Sequence, residues 1–298
     1  MKRLTFKKID AFATDKSSGN PAGAIYLDTG NELSPMEMQR IAAELKGFVN
    51  EVGYVSKLDE DTFVLKYYSS EREVDFCGHA TIAIMYDLFK SNAGLLKKPT
   101  INIITSKGKS LVENRILDED AVFISAPLPR FSNKFIPATH IAEALGISIQ
   151  DIRENYPIET VNAGLETLIV PIQALQTMLA IHPDFMKLKL FCENNSIDIV
   201  EVFSSEVSDK SNRFRTRVFA PRYGYLEDPA TGSGNAAFGY YLIKHRGWGG
   251  EVISLEQNNK MDNANIIKLL TRQNETNDIE VAFGGGAVLR IQGEYFLV

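Results

Sequence analysis

Cys77-Gly78-His79-Ala80-Thr81-Ile82-Ala83-Ile84-Met85-Tyr86 can be laid over Thr231-Gly232-Ser233-Gly234-Asn235-Ala236-Ala237-Phe238-Gly239-Tyr240, and this overlay decides the architecture. In both stretches a glycine and small polar residues open an apolar helix, and an acid lies just upstream, Asp75 in one and Asp228 in the other. A second echo sets Glu51-Val52-Gly53-Tyr54-Val55 against Glu166-Thr167-Leu168-Ile169-Val170. The two echoes together point to an ancient duplication, with one helix of this kind at the centre of each half.

Outward from these helices the pattern mixes strands and helices. Strands are expected over 4–12, 24–27, 48–55 and 63–68, with the polar turn signal Ser17-Ser18-Gly19-Asn20-Pro21 between the first two. Ser34-Pro35-Met36-Glu37 is a full helix start, with a capping serine, a proline at the first position and a glutamate three residues after the cap. That helix should run to about Lys46 and stop at Gly47. A helix follows over 78–88 and another ends at Gly146. A strand is expected over 168–170, helical segments over 173–191, and strands over 197–203 and 214–219. The second central helix spans 232–244, and a tail over 279–298 reads as a hairpin turning at Gly284-Gly285-Gly286. Without a steady alternation of strand and helix, the class is α+β and not a doubly wound sheet.

Composition narrows the function. The 298 residues are 44 % hydrophobic and 23 % charged with a net charge of −6, ordinary globular values. Lys and Arg are scattered among acids, which argues against nucleic acid as a partner, because phosphate contacts need clustered cations. The opening Met1-Lys2-Arg3-Leu4-Thr5-Phe6-Lys7-Lys8 is charged and lacks the apolar run of a signal peptide, and no stretch suggests a membrane span. A cytoplasmic protein with two free thiols, Cys77 and Cys192, is therefore expected. The histidines (His79, His140, His182, His245) are read as unpaired with one another and with the cysteines, so no zinc site is expected.

Three segments carry candidate chemistry. Glu51, if its surroundings form a strand, shares a face with Val49, Gly53 and Val55. A carboxyl on an apolar face loses hydration and is pushed toward neutrality, where proton transfer works best. The plainer alternative is an edge glutamate reaching solvent past Gly53. Gly78 and His79 open a helix whose first amides attract anions, and His79 either donates to a substrate carboxylate or is packed for shape. Glu227-Asp228-Pro229-Ala230-Thr231-Gly232-Ser233-Gly234-Asn235 offers Ser233 and the amides of Gly232 and Gly234 to an anion, with Asp228 as an acceptor for an amine or hydroxyl. A tight loop with an N-cap is the structural alternative there. The run Gly232 to Ala237 also fits a dinucleotide fingerprint, but a polar stretch with a proline and two acids precedes it where a buried strand is needed.

In order along the chain, Ile9-Asp10-Ala11-Phe12, Gly19-Asn20-Pro21-Ala22, Asn50-Glu51, Cys77-Gly78-His79-Ala80-Thr81, Arg217-Val218-Phe219-Ala220-Pro221 and Glu227 to Gly234 resemble the phenazine-biosynthesis isomerase-like (PhzF-like) family, which shares the diaminopimelate epimerase-like fold. The resemblance implies two pseudo-symmetric domains, each a curved sheet around a central helix, with a ligand in the cleft between them. The first would span 1–125, joined by a final strand at about 286–298, and the second 126–298. It implies Glu51, His79 and Asp228 as catalytic residues, and Gly78, Gly232, Ser233 and Gly234 as substrate-binding ones. It further implies a small anionic metabolite as ligand, no cofactor or metal, and a homodimer. The activity would be proton migration within a carboxylate-bearing molecule. A one-sided epimerase or racemase, or a catalytically silent binding module, are the alternatives.

Two departures stand out. The related amino-acid epimerases use two cysteines, each ahead of a helix-opening glycine, whereas this chain has Cys77 at the first place and Thr231 at the second. Two-thiol racemisation is therefore not expected, and Cys77 reads as a packing residue. Asn50 and Val52 flank Glu51 where the family more often has small hydroxyl residues, which leaves the substrate open.

Overall fold

In a computed structural model, which describes residues 1–28, 32–274 and 276–298, the chain divides into two units, Met1–Ser125 with Gly284–Val298 and Ala126–Phe283. The first unit runs β1 (Lys2–Ala11), β2 (Asn20–Leu27), α1 (Pro35–Glu44), β3 (Glu51–Lys57), β4 (Thr62–Ser69), β5 (Glu73–Val74) and α2 (Gly78–Ser91). It continues through α3 (Ala93–Leu96), β6 (Thr100–Thr105), β7 (Gly108–Arg115), α4 (Ile116–Glu119) and β8 (Ala121–Ser125), and takes the chain's last strand, Ala287–Leu297. That last strand pairs with β1, and the order continues β1–β2–β3–β4–β6–β7–β8, with β2/β3 and β4/β6 parallel. Helix α2 packs against β1, β2, β3, β8 and the last strand, so it touches both ends of this order. Only a sheet curved around the helix allows that. The sequence explains why: Ala80 to Asp87 and Phe89 are all buried, and a helix apolar on every side must lie inside a core.

The second unit runs β9 (Arg130–Ser132), α5 (Ala138–Leu145), β10 (Glu159–Asn162), β11 (Glu166–Pro171), α6 (Leu175–Ala180), α7 (Phe185–Asn195), β12 (Ile199–Ser204) and β13 (Phe214–Phe219). It goes on with β14 (Glu227–Asp228), α8 (Gly232–Lys244), β15 (Ile253–Gln257), β16 (Asn265–Gln273) and β17 (Ile279–Gly285), before the last strand, β18. Its order is β9–β10–β11–β12–β13–β15–β16, with β11/β12 and β13/β15 parallel. Helix α8 packs on β10, β11, β12 and β16, and the Tyr240 hydroxyl accepts from the Val281 N–H at 3.0 Å. Among the described residues no helix is long and apolar enough to cross a membrane.

The same series of pairings recurs in the two units. A parallel pair, an antiparallel neighbour, a two-residue strand on that neighbour and then the central helix occur as β2/β3, β4, β5, α2 and again as β11/β12, β13, β14, α8. The register sharpens the match. Tyr67 pairs with Gly53 and with Val74, four residues before Gly78; Val218 pairs with Glu201 and with Asp228, four residues before Gly232. Gly53 and Glu201 thus hold equivalent places, and Glu51 is matched by Ile199. The echo of Glu51–Val55 in Glu166–Val170 is therefore a misreading. Residues 166–170 lie in β11, the counterpart of β2, and both segments share only the generic pattern of a buried strand.

Three further expectations are corrected. The capping box at Ser34 forms, with the Glu37 carboxylate accepting from the Ser34 N–H at 2.7 Å, but α1 ends at Glu44, ahead of Lys46. Residues 48–50 form a turn and not the start of a strand, so Val49 does not share a strand face with Glu51. The tail is not a simple hairpin, because β18 finds its partner in β1 along its whole length, from Ala287 opposite Ala11 to Leu297 opposite Lys2.

Candidate active site

Glu51 begins β3, between Ala22 of β2 and Ser69 of β4. Side chains two apart share a face, so Glu51 points as Gly53 does. At Gly53 a methyl group would collide with Ile84 of α2, so this face looks onto the central helix. The absence of a side chain at Gly53 lets α2 lie close, which brings the first turn of the helix to Glu51.

The result is a small cluster in the first unit. Glu51 Oε2 lies 3.3 Å from His79 Nε2, with the two side chains 24 % and 13 % exposed. Cys77, the N-cap of α2, places its Sγ 3.5 Å from His79 Nδ1. The expectation that no histidine stands beside a cysteine is thus overturned: a two-residue spacing across a helix start folds Cys77 back against the His79 ring. Burial holds the His79 imidazole down to about pKa 4, because the charged ring would lose its hydration. At neutral pH the ring is therefore uncharged, and its contact with Glu51 is one of carboxyl and dipole. The helix start is braced from behind. Thr81 Oγ1 donates to the Cys77 carbonyl at 2.7 Å and lies 2.6 Å from the Tyr67 hydroxyl. Gly78 is half-buried at the opening of the helix, and the N-cap side chain makes no capping bond.

The second unit builds a different arrangement at the start of α8. Asp228 closes β14, and its carboxylate accepts from Thr231 Oγ1 at 2.7 Å. Thr231 holds the N-cap place that Cys77 holds in the first unit, and its hydroxyl is committed to Asp228. Gln257, fully buried on β15, clamps the turn: its Oε1 accepts from the Thr231 N–H at 2.9 Å and from Asn235 Nδ2 at 2.7 Å. Its Nε2 donates to the Asp228 carbonyl at 2.9 Å. Ser233 is half-buried between Gly232 and Gly234, which are buried. Gly232 is required, since a methyl group there would strike the Phe283 ring. Asp75, read as the counterpart of Asp228, is instead exposed and paired with Lys107 at 3.1 Å.

Sequence reading missed one acid. Glu201 on β12 is wholly buried, neither carboxyl oxygen has a hydrogen-bond partner, and burial drives its pKa well above the usual carboxylate range. A methyl group on Gly234 would come within 2.7 Å of Glu201 Oε2, so the glycine makes room for this carboxyl beneath the first turn of α8. The signal was available: Ile199-Val200-Glu201-Val202-Phe203 is an acid inside an apolar strand, the same oddity that singled out Glu51.

These features define the class: an α+β protein of repeated helix-in-sheet units, with a carboxyl set against a neutral imidazole at a helix start. The chain belongs to the phenazine biosynthesis-like protein family, whose model matches residues 9–293. An uncharacterized isomerase of Clostridium acetobutylicum is 27 % identical over 100 % of this chain and 99 % of its own length. The trans-2,3-dihydro-3-hydroxyanthranilate isomerase of Pseudomonas fluorescens is 28 % identical over 80 % of this chain and 79 % of its own. The crystal structure of a Bacillus anthracis phenazine biosynthesis protein of the PhzF family shares the fold, with a TM-score of 0.85, 24 % identity and full coverage of both chains. The fold class and family read from the sequence are the ones found, and isomerase is the class that these curated relatives carry in their names.

Proposed function

We propose that the protein is an isomerase that moves a proton within a small carboxylate-bearing metabolite, with Glu51 as the acid/base. The observation that carries this is the 3.3 Å approach of Glu51 Oε2 to an imidazole that burial keeps neutral. A protonated histidine would hold Glu51 as a fixed anion. A neutral one lets the carboxyl alternate between base and acid.

In the reaction, the Glu51 carboxylate takes a proton from a carbon next to an unsaturated or carbonyl-bearing group. The C–H electron pair spreads into that group, and helix-end amides at Gly78 and His79 offset the developing charge. The Glu51 carboxylic acid then returns the proton to a different carbon, so the substrate leaves rearranged and the enzyme unchanged. His79 holds the Glu51 carboxyl in place and hydrogen-bonds the substrate. In the second unit, the amides of Gly232 and Gly234 and the Ser233 hydroxyl suit an anionic group, and Asp228 an amine or hydroxyl.

Turnover of trans-2,3-dihydro-3-hydroxyanthranilate, the molecule in the name of the Pseudomonas relative, and of a panel of related acids in D2O tests this. Proton migration places deuterium on a new carbon of the product. Deuterium found only at the original stereocentre would make the protein an epimerase. No exchange across the panel, together with a stoichiometric protein partner in a pull-down, would make it a binding module.

A further inference from the structure

The junction of β3 and α2 gathers three chemically different donor atoms. His79 Nε2 lies 3.3 Å from Glu51 Oε2 and 3.9 Å from Cys77 Sγ, and one donor atom from each residue lies within 4.8 Å of the others. Zinc bonds of about 2.0–2.1 Å to nitrogen, about 2.0–2.2 Å to oxygen and about 2.3 Å to sulfur, at tetrahedral angles, separate N from O by about 3.4 Å and N from S by about 3.6 Å. The first separation is already met; Cys77 Sγ, which lies nearer Nδ1 at 3.5 Å, reaches a cation on Nε2 by turning about its Cα–Cβ bond. We propose that Glu51, Cys77 and His79 form a site for a borderline-soft divalent cation of the Zn2+ class, three protein ligands with a fourth position for water or a ligand.

The donor set decides the metal class. Thiolate and imidazole favour zinc and its neighbours, whereas magnesium and calcium need cages of oxygen, and this trio supplies a single carboxylate. Rigidity favours it too. Cys77 and His79 sit on one helix start that Thr81 and Tyr67 brace, and Glu51 is fixed by strand neighbours on both sides. A carboxylate that ligates a cation cannot accept a substrate proton, so the loaded protein is inactive. That last clause rests on Glu51 being the base; the binding itself does not.

Cobalt(II) titrated into the metal-free full-length protein tests the site without any substrate. The proposal requires one Co2+ per chain, with the intense visible bands of four-coordinate cobalt and a sulfur-to-cobalt charge-transfer band. Cys77→Ser removes the charge-transfer band and Cys192→Ser, at the other cysteine, keeps it. His79→Asn and Glu51→Gln each weaken affinity by at least about tenfold. A protein that shows no sulfur band, or one whose band survives Cys77→Ser, overturns the proposal. Should Cys77→Ser fail to fold, unchanged affinity in both other variants overturns it equally. Zinc added to the active enzyme separates the two claims: binding with full activity retained leaves the metal site standing and removes Glu51 as the base.

Discussion

Glu201 gives the sharpest energetic test of how the second unit is built. Its carboxyl is wholly buried beneath the first turn of α8, and neither oxygen is hydrogen-bonded. Leaving a buried polar group unsatisfied costs about 1–3 kcal/mol, so Glu201→Met, unbranched and similar in volume, should stabilise the protein by about that amount near the ordinary glutamate pKa, and by more as pH rises. Glu201→Gln keeps an unpartnered polar group and should gain little at that starting pH. The two variants share a second effect. The folded-state pKa of Glu201 is raised above its unfolded value, so its contribution is fully present below the unfolded pKa and is lost as pH rises toward the folded one. Within that window each pH unit removes about 1.4 kcal/mol, and both substitutions abolish the slope. Urea-denaturation midpoints of the three proteins at a series of pH values, starting just above the ordinary glutamate pKa, read both effects, and contributions from other titrating groups cancel in the differences. A destabilised Met variant whose difference from the parent does not change with pH would show that the carboxyl is ionised or satisfied, and the reasoning would fail.

Gly53→Ala should cost about 1–3 kcal/mol of stability and lower turnover, because its methyl group meets Ile84 and pushes α2 from β3, widening the gap between Glu51 and His79. Adding Ile84→Val removes the colliding atom, so a double-mutant cycle by thermal melting should show strong coupling; simple additivity would contradict the packing. His79 titrates in the opposite sense to Glu201: its pKa falls from 6.5 unfolded to about 4 folded, so stability should drop as pH falls through that window. His79→Asn should flatten that part of the profile, and an unchanged acid limb would mean the ring is not buried in solution.

What the sequence revealed and hid follows from physics. The central helices were legible to the residue at their starts, because an apolar helix opened by glycine has no surface use and few ways to be placed. Glu51 and Glu201 carry the same local signal, an acid inside an apolar strand, yet only Glu51 was singled out. The equivalence of Gly53 and Glu201 across the repeat depends on strand register, which no linear overlay shows. The β18–β1 pairing joins residues at opposite ends of the chain, and local turn signals at Gly284–Gly286 could not announce it. Cys77 against His79 was hidden for a simpler reason: one intervening residue is closer than the usual metal-ligand spacings, yet a helix start folds such neighbours onto each other.

The most direct test of the central claim is deuterium washout from a carbon-labelled substrate during a single turnover by Glu51→Gln, set beside the parent protein. Washout and rearrangement in the parent, with the variant binding substrate at similar affinity and releasing no label, is the result this account predicts. Label loss from the variant at the parent's rate would place the proton on another group.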